Sequence, residues 1–402
     1  MTRTQCCIVG GGPAGMMLGF LLARSGVKVV VLEKHADFLR DFRGDTVHPS
    51  TLTVMHELGL LEEFLRLPHH KISRFAGYFG DRRVEIADLT HLPAPAPYIA
   101  MMPQWDFLDF LARHGKAYAG FTLLMNAEAR GLVEEGGKVV GVRATIEGRP
   151  EEIRADLVVG ADGRHSTVRA ATGLKVLDVG APIDVLWFRL SRQSGDPGEV
   201  MGRFYAGGIL VMLDRGDYWQ CAYVIPKGGA DKVRAAGIAA LRSTLGRLVP
   251  ALADRLSELG SMDDLKLLTV GVDRLETWWK PGVLCIGDAA HTMSPVGGVG
   301  INIAIQDAVA AANILAAPLR EGKATDADLA AVQKRRLFPA RVTQAAQVFV
   351  QNRIIAPTLA SGAAVKVPFV LRLVRWLPFL RRVPARVIAM GVRPEHVRIE
   401  PA

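Results

Sequence analysis

The chain is poor in cysteine: Cys6, Cys7, Cys221 and Cys285 are the only four in 402 residues. They show no metal-ligand spacing and no disulfide-like density. That excludes a disulfide scaffold and fits free thiols in a reducing compartment. Polar low-complexity tracts are lacking and half the residues are hydrophobic, so a sizeable core is expected and disorder is not. No uninterrupted apolar run reaches about 18 residues, so no transmembrane helix is expected. No Ser-His-Asp constellation, metal-ligand cluster or internal repeat stands out. Acidic charge is scarce at one end only. From Ala331 onward there are 13 Lys or Arg against 2 Asp or Glu, leaving 36 basic and 38 acidic residues in the first 330. The net charge of +9 is therefore a property of the tail. Its cations lie among Val, Leu and Phe without a recognition motif for nucleic acid. A membrane surface, an acidic partner or water remains.

What is present begins with a strand-turn-helix-strand. QCCIVG is apolar, PAGMMLGFLLARSG has helical periodicity closed by Gly26, and KVVVLEK is a second strand. The glycines and the strand that follows exclude reading this run as a signal peptide. Gly10, Gly12 and Gly15 stand in G-x-G-x-x-G spacing. Gly10 permits the tight turn, Gly12 lets a pyrophosphate approach the backbone, and Gly15 lets helix and strand pack closely. Pro13 and Ala14 open the helix whose N–H groups face the phosphates. Glu33 ends the second strand, 18 residues after Gly15, where a carboxylate accepts from ribose hydroxyls; Lys34 adjoins it. An acidic residue there favours FAD or NAD over NADP, because it repels a 2′-phosphate.

Two further turns repeat the pattern. ADLVVGADGRHSTVRAATG is strand, turn and helix around Asp162-Gly163, and LCIGDAAHTMSPVGGVGIN ends a strand in Gly287-Asp288 before the helical INIAIQDAVAAANIL. Between them, DVLWFRL, GGILVML and YWQCAYVIP suggest a mostly antiparallel sheet. The reading is an α/β fold. A discontinuous Rossmann-like domain covers 1–71, 98–179 and 268–330. An inserted, mostly antiparallel β-sheet substrate domain covers 72–97 and 180–267. A basic helical C-terminal region covers 331–402.

G-x-G-x-x-G, D-G and G-D-A-A-H, in this order and spacing over about residues 5 to 320, resemble the class A flavoprotein monooxygenases of the p-hydroxybenzoate and ubiquinone-biosynthesis hydroxylase type. The resemblance implies noncovalent FAD, with NAD(P)H as a transient co-substrate. It also explains two distant glycine-rich sites, because each holds a different part of one long cofactor. In it Asp288 accepts from a ribityl hydroxyl, a helix-capping role being the alternative. Pro295, Gly298, Gly300, Ile301 and Asn302 pass under the isoalloxazine, where a helix N-terminus meets the charge of reduced flavin. Arg43 contacts phosphate or ribityl groups from a loop that lets the flavin swing. Gln104 touches the ribityl chain or simply opens a helix. Asp162, with Arg164, closes on FAD and takes part in pyridine-nucleotide binding, or caps its turn. His48 and His291 are the candidates for acid–base work, His291 without an assigned partner.

The implied reaction is hydroxylation or epoxidation of an aromatic or polyketide-like small molecule. NAD(P)H reduces FAD, O2 adds at C4a, and the hydroperoxide's distal oxygen is transferred. Trp187, Phe204, Met212, Trp219 and Tyr223 are candidates for the substrate floor, or are ordinary sheet core. A saturating reductase of the geranylgeranyl-reductase type is the alternative on the same fold. A halogenase fits worse, since CAYVIP puts Cys221 and Tyr223 where its W-x-W-x-I-P has tryptophans. A non-enzymatic FAD-binding protein is a third reading. No second G-x-G-x-x-G follows a strand, so two-dinucleotide reductases and Baeyer–Villiger enzymes also fit worse. The protein is expected in the cytoplasm. Its tail, VPFVLRLVRWLPFLRRVPARV, either docks on the protein or a homodimer partner through Phe369, Leu373, Trp376 and Leu377, or makes peripheral contact with an anionic membrane through its arginines.

Overall fold

The computed structural model describes residues 2–39, 46–196, 201–361, 365, 367 and 381–402. Arg43 and most of the apolar-basic tail, including Phe369, Leu373, Trp376 and Leu377, lie outside the described residues.

Five strands form a parallel layer: β1 (Thr2–Val9), β2 (Val29–Leu32), β3 (Phe121–Leu124), β4 (Arg149–Gly160) and β5 (Val283–Cys285), in the order β5-β4-β1-β2-β3. Their continuous Val, Ile, Leu and Cys runs suit a sheet buried on both faces. Cys6, Cys7, Cys221 and Cys285 are all buried free thiols. Register sets Val9 opposite both Leu32 and Gly160, and Gly160 opposite Cys285. Four strands therefore end on one edge, where open α/β sheets place their ligands.

Seven helices are used below: α1 (Pro13–Arg24), α2 (Pro49–Glu57), α3 (Gln104–Gly115), α4 (Ala230–Leu248), α5 (Gly300–Arg320), α6 (Asp326–Val350) and α7 (Arg382–Ala389). The stretch Val296–Arg320 is long and apolar enough to cross a membrane, with mean hydropathy 1.5, but 78% of that window is buried inside the protein. It is the core helix, packed on α1 and α6. Thr325 and Asp328 form a capping box that starts α6 ahead of the basic region, and α6 runs on into a π turn at Gln351–Ile355.

A second sheet has seven strands, ordered Lys266–Leu268, Ile183–Ser191, Tyr218–Pro226, Gly208–Asp214, Met201–Tyr205, Arg74–Phe79 and Arg82–Asp88. All pairs are antiparallel except Met201–Tyr205 with Arg74–Phe79. Alternation gives it two apolar faces. Phe188, Leu190, Met212, Trp219, Cys221 and Tyr223 pack outward with Leu241 and Leu245 of α4. Val185, Trp187, Phe204, Val211, Ala222 and Val224 share an inner cluster with Val296, Ile355 and Leu359.

Candidate active site

Three turns meet on the parallel-sheet edge. Gly10 has φ +108, and a Cβ there would lie 2.4 Å from the Ala161 carbonyl oxygen and 2.8 Å from Asp162 Cα. One on Gly15 would lie 1.9 Å from the Gly10 carbonyl oxygen. Gly12 differs, since a Cβ there meets nothing within 4 Å. Two glycines thus seal backbone against backbone, while the third borders open space. Pro13 and Ala14 begin α1 beside it, with no side-chain cap on the helix. Glu33 is buried, and its carboxylate accepts from the amides of Gly11 at 3.1 Å and His35 at 3.0 Å. Lys34 points to solvent.

The third turn wedges between helices. A Cβ on Gly287 would stand 3.3 Å from that of Ala14 and 3.1 Å from that of Ala304. Asp288 beside it keeps 32% of its side chain exposed, with Arg164 Nη2 at 3.8 Å. Asp162 is used inside its own turn: its carboxylate accepts from Ser166 Oγ at 2.5 Å and the Val168 amide at 3.2 Å. Burial pushes its pKa up, against those donors. Gln104 is half-buried at the first position of α3.

The loop from Gly287 to Gly300 is fixed by side chains from far along the chain. At its start, Asp307 of α5 accepts from the Gly287 amide at 3.1 Å, His291 Nε2 at 2.6 Å and Arg336 Nε at 2.9 Å. Burial pushes the Asp307 carboxyl up, and His291 and Arg336 more than offset it, so its pKa ends below the usual value. In its middle, Gln344 Nε2 donates to the carbonyls of Asp273 and Thr292, and Gln347 Nε2 to those of Ser294 and Val296. Gln351 Nε2 donates to Ser294 Oγ. At its end, Asn302 Oδ1 accepts from the His48 amide and Thr51 Oγ1, both at 2.8 Å, while its Nδ2 donates to the Thr46 carbonyl. Pro295 opens the half-buried Val296–Gly298 turn, in which Gly297 and Gly298 have φ +83 and +62. Gly300 and Ile301 begin α5 without a side-chain cap, so amides of this first turn lack intrahelical partners.

The comparisons with known proteins agree with this architecture. Residues 3–346 match the family model described as FAD binding domain. The chain is 36% identical to 6-methylpretetramide 4-monooxygenase of Streptomyces rimosus, over 98% of this chain and 94% of that one. The chain belongs to the class A FAD-dependent monooxygenases. Rifampicin monooxygenase of Streptomyces venezuelae is 30% identical over 75% of this chain and 61% of its own length. PqsL of Pseudomonas aeruginosa has the same fold, with a TM-score of 0.76 at 22% identity, covering 89% of this chain and 98% of that one.

The residues present fit FAD: an open glycine, a fixed acidic residue at the end of β2, a half-open Asp288 and an uncapped helix start all border one edge. The two histidines in this monooxygenase are both buried structural groups. His291 has a partner after all, the Asp307 carboxylate, which accepts from Nε2 and holds the ring beside Trp278. His48 Nδ1 donates to the Ile388 carbonyl at 2.8 Å. Burial pushes its pKa down to about 4, against the carbonyls of Ile388 and Gly298.

The substrate candidates divide by face. Trp187 and Phe204 belong to the inner cluster with Val296. Met212, Trp219 and Tyr223 belong to the outer one, and Trp219 Nε1 donates to Asp196 at 2.8 Å. For those three the period-2 alternation places ordinary core, away from the Gly287–Gly300 loop. Asp307, Arg336, Glu395 and the three glutamines were missed altogether. A buried-face Asp within INIAIQDAVAAANIL was the one available signal.

Proposed function

We propose that this monooxygenase hydroxylates a flat, largely apolar aromatic of the polyketide kind, seated between the Pro295–Gly298 turn and the inner face of the seven-stranded sheet. The observation that carries the reading is the cluster in which Trp187, Phe204, Val211 and Val224 pack together with Val296 of that turn. Across the strands, Trp187 pairs with Ala222, Ala222 with Val211, Val211 with Gly202, and Gly202 with Gly77. This row sets small residues beside large rings, with Phe204 lying over Gly202, and makes an apolar face that excludes water. The Streptomyces relative named for 6-methylpretetramide supports a substrate of that kind.

Within this reading Gly10, Gly12, Pro13, Ala14 and Gly15 hold the pyrophosphate and Glu33 the ribose. Asp288 and Gln104 hold the ribityl chain, and backbone from Gly298 to Asn302 holds the ring. When bound, FAD supplies electron transfer from NAD(P)H to O2 and delivery of one oxygen atom. Asn302 keeps the turn in register with Thr46 and His48. The domain division follows: the parallel layer binds cofactor, the seven-stranded sheet binds substrate, and the basic C-terminal region braces both. Phe338, Phe349, Val383 and Val387 are exposed near Lys334, Arg341, Arg382 and Arg386, which supports a contact surface for an anionic membrane or a second copy. Salt-sensitive cosedimentation with anionic vesicles favours the membrane, and its absence at low salt removes it.

Hydroxyaromatic polyketides should stimulate NAD(P)H oxidation more than small phenolic acids do, with label from isotopic dioxygen in the product. Trp187→Ala should lower kcat/KM with FAD content unchanged. A preference for the small acids refutes the substrate class.

A further inference from the structure

We propose that Glu395 is a positioning residue for the cofactor loop, holding the Gly287 amide and His291 through Arg336 and Asp307. It sits in the last segment of the chain, yet it is buried and grips two helices. Its carboxylate accepts from Arg335 Nε at 2.6 Å and Arg336 Nη1 at 3.2 Å, both on α6. Its amide donates to Gln306 Oε1 on α5. Arg336 then reaches Asp307 at 2.9 Å, and Asp307 reaches the cofactor loop.

The relay consists of groups withdrawn from water. Arg336, Asp307, Glu395 and His291 have side chains no more than 4% exposed. Removing one charge from such a set leaves its partner uncompensated. Without Glu395, Arg336 keeps Asp307 and the Arg393 carbonyl as partners, so its full charge bears on the carboxylate that also serves Gly287. Apolar packing by Ile388, Val397 and Ile399 on the core holds the segment down but does not reach the Arg336–Asp307 pair. A small, partly open cleft lies where this segment crosses α5 and α6, lined by Val299, Asn302, Pro339, Thr343, Val387 and Ile388 among others.

The same segment has an outer anchor that does not enter the relay. Glu57 on α2 accepts from His396 Nδ1 and from the Val397 amide at 2.8 Å. The two anchors separate a specific role from general tethering of the chain end.

The test uses the full-length holoenzyme and its apo form. Glu395→Gln should raise the FAD dissociation constant roughly tenfold, read by flavin fluorescence on titration. In the apo-protein it should also move the His291 ring N–H proton resonance, which reports the bond to Asp307. Glu57→Gln should leave both within about twofold and unshifted, whatever it does to the unfolding midpoint. Arg335→Gln, which loosens Glu395 from its more exposed side, should follow Glu395→Gln in direction with a smaller effect, and serves if Glu395→Gln does not fold. Wild-type FAD affinity and an unmoved His291 resonance in Glu395→Gln, or in Arg335→Gln where that variant must serve, would overturn the proposal. So would equal loss of FAD in Glu57→Gln.

Discussion

The two glycine-rich loops lie on one sheet edge but are held in different ways. The loop at Gly10–Gly15 is fixed by its own backbone and by strands and turns it touches directly. The loop from Gly287 to Gly300 is fixed by Asp307, the glutamines of α6 and its π turn, and Asn302, with Glu395 behind them. The first is specified by steric exclusion of side chains, the second by satisfaction of buried polar groups. The difference decides what a substitution does in each.

Sterics makes the first loop the more brittle. Gly15→Ala drives a Cβ to 1.9 Å from a backbone oxygen and should prevent folding of the apo-protein, seen by circular dichroism. Gly12→Ala should leave apo stability unchanged and weaken FAD binding, because only ligand space is lost. Equal apo stability for the two variants would erase the contrast.

In the second loop, Asp307→Ala should cost about 3–5 kcal/mol in urea unfolding of the apo-protein, since it removes one of the two carboxylates on buried Arg336 and the acceptor of His291 and the Gly287 amide. A loss below about 1 kcal/mol, the range of a surface pair, would show that the relay is not what fixes the loop.

His48 sharpens the comparison through pH. Its folded pKa, about 4, lies below the ordinary 6.5, so folding favours the neutral ring. That stability is complete above pH 6.5 and is lost as pH falls towards 4, by about 3 kcal/mol in all. His48→Asn should flatten the slope across this window. An unchanged slope assigns the acid sensitivity elsewhere.

The smallest effect separates ligand contact from scaffold. Asp288→Ala should weaken FAD binding by about 1.5–3 kcal/mol with apo stability intact. His291→Ala should do the reverse, lowering apo stability more than FAD affinity. The same ranking in both assays would contradict the distinction.

What was legible in the sequence follows from the same contrast. Gly10, Gly15 and Glu33 announce themselves because short spacing encodes a local turn, and the parallel strands through continuous apolar runs. The split of Trp187 and Phe204 from Met212, Trp219 and Tyr223 was available in the alternation, but which face met Val296 of the second loop was not. Period-2 patterning gives sides, not neighbours. Arg336 and Glu395 read as members of a charged tail, because Asp307 lies 29 residues from Arg336 and Glu395 lies 59 from it. No local signal records such a pairing.

The glutamine ladder of α6 and its π turn has a consequence for how the loop responds to acid. Gln344, Gln347 and Gln351 grip Thr292, Ser294 and Val296 through amides that do not titrate. Asp307 grips Gly287 through a carboxylate that acid neutralises. Acid therefore acts on the two ends of the loop, at Gly298 through His48 and at Gly287 through Asp307, while its middle at Ser294 stays clasped. The ladder acts as a pin through the loop's middle that pH does not withdraw.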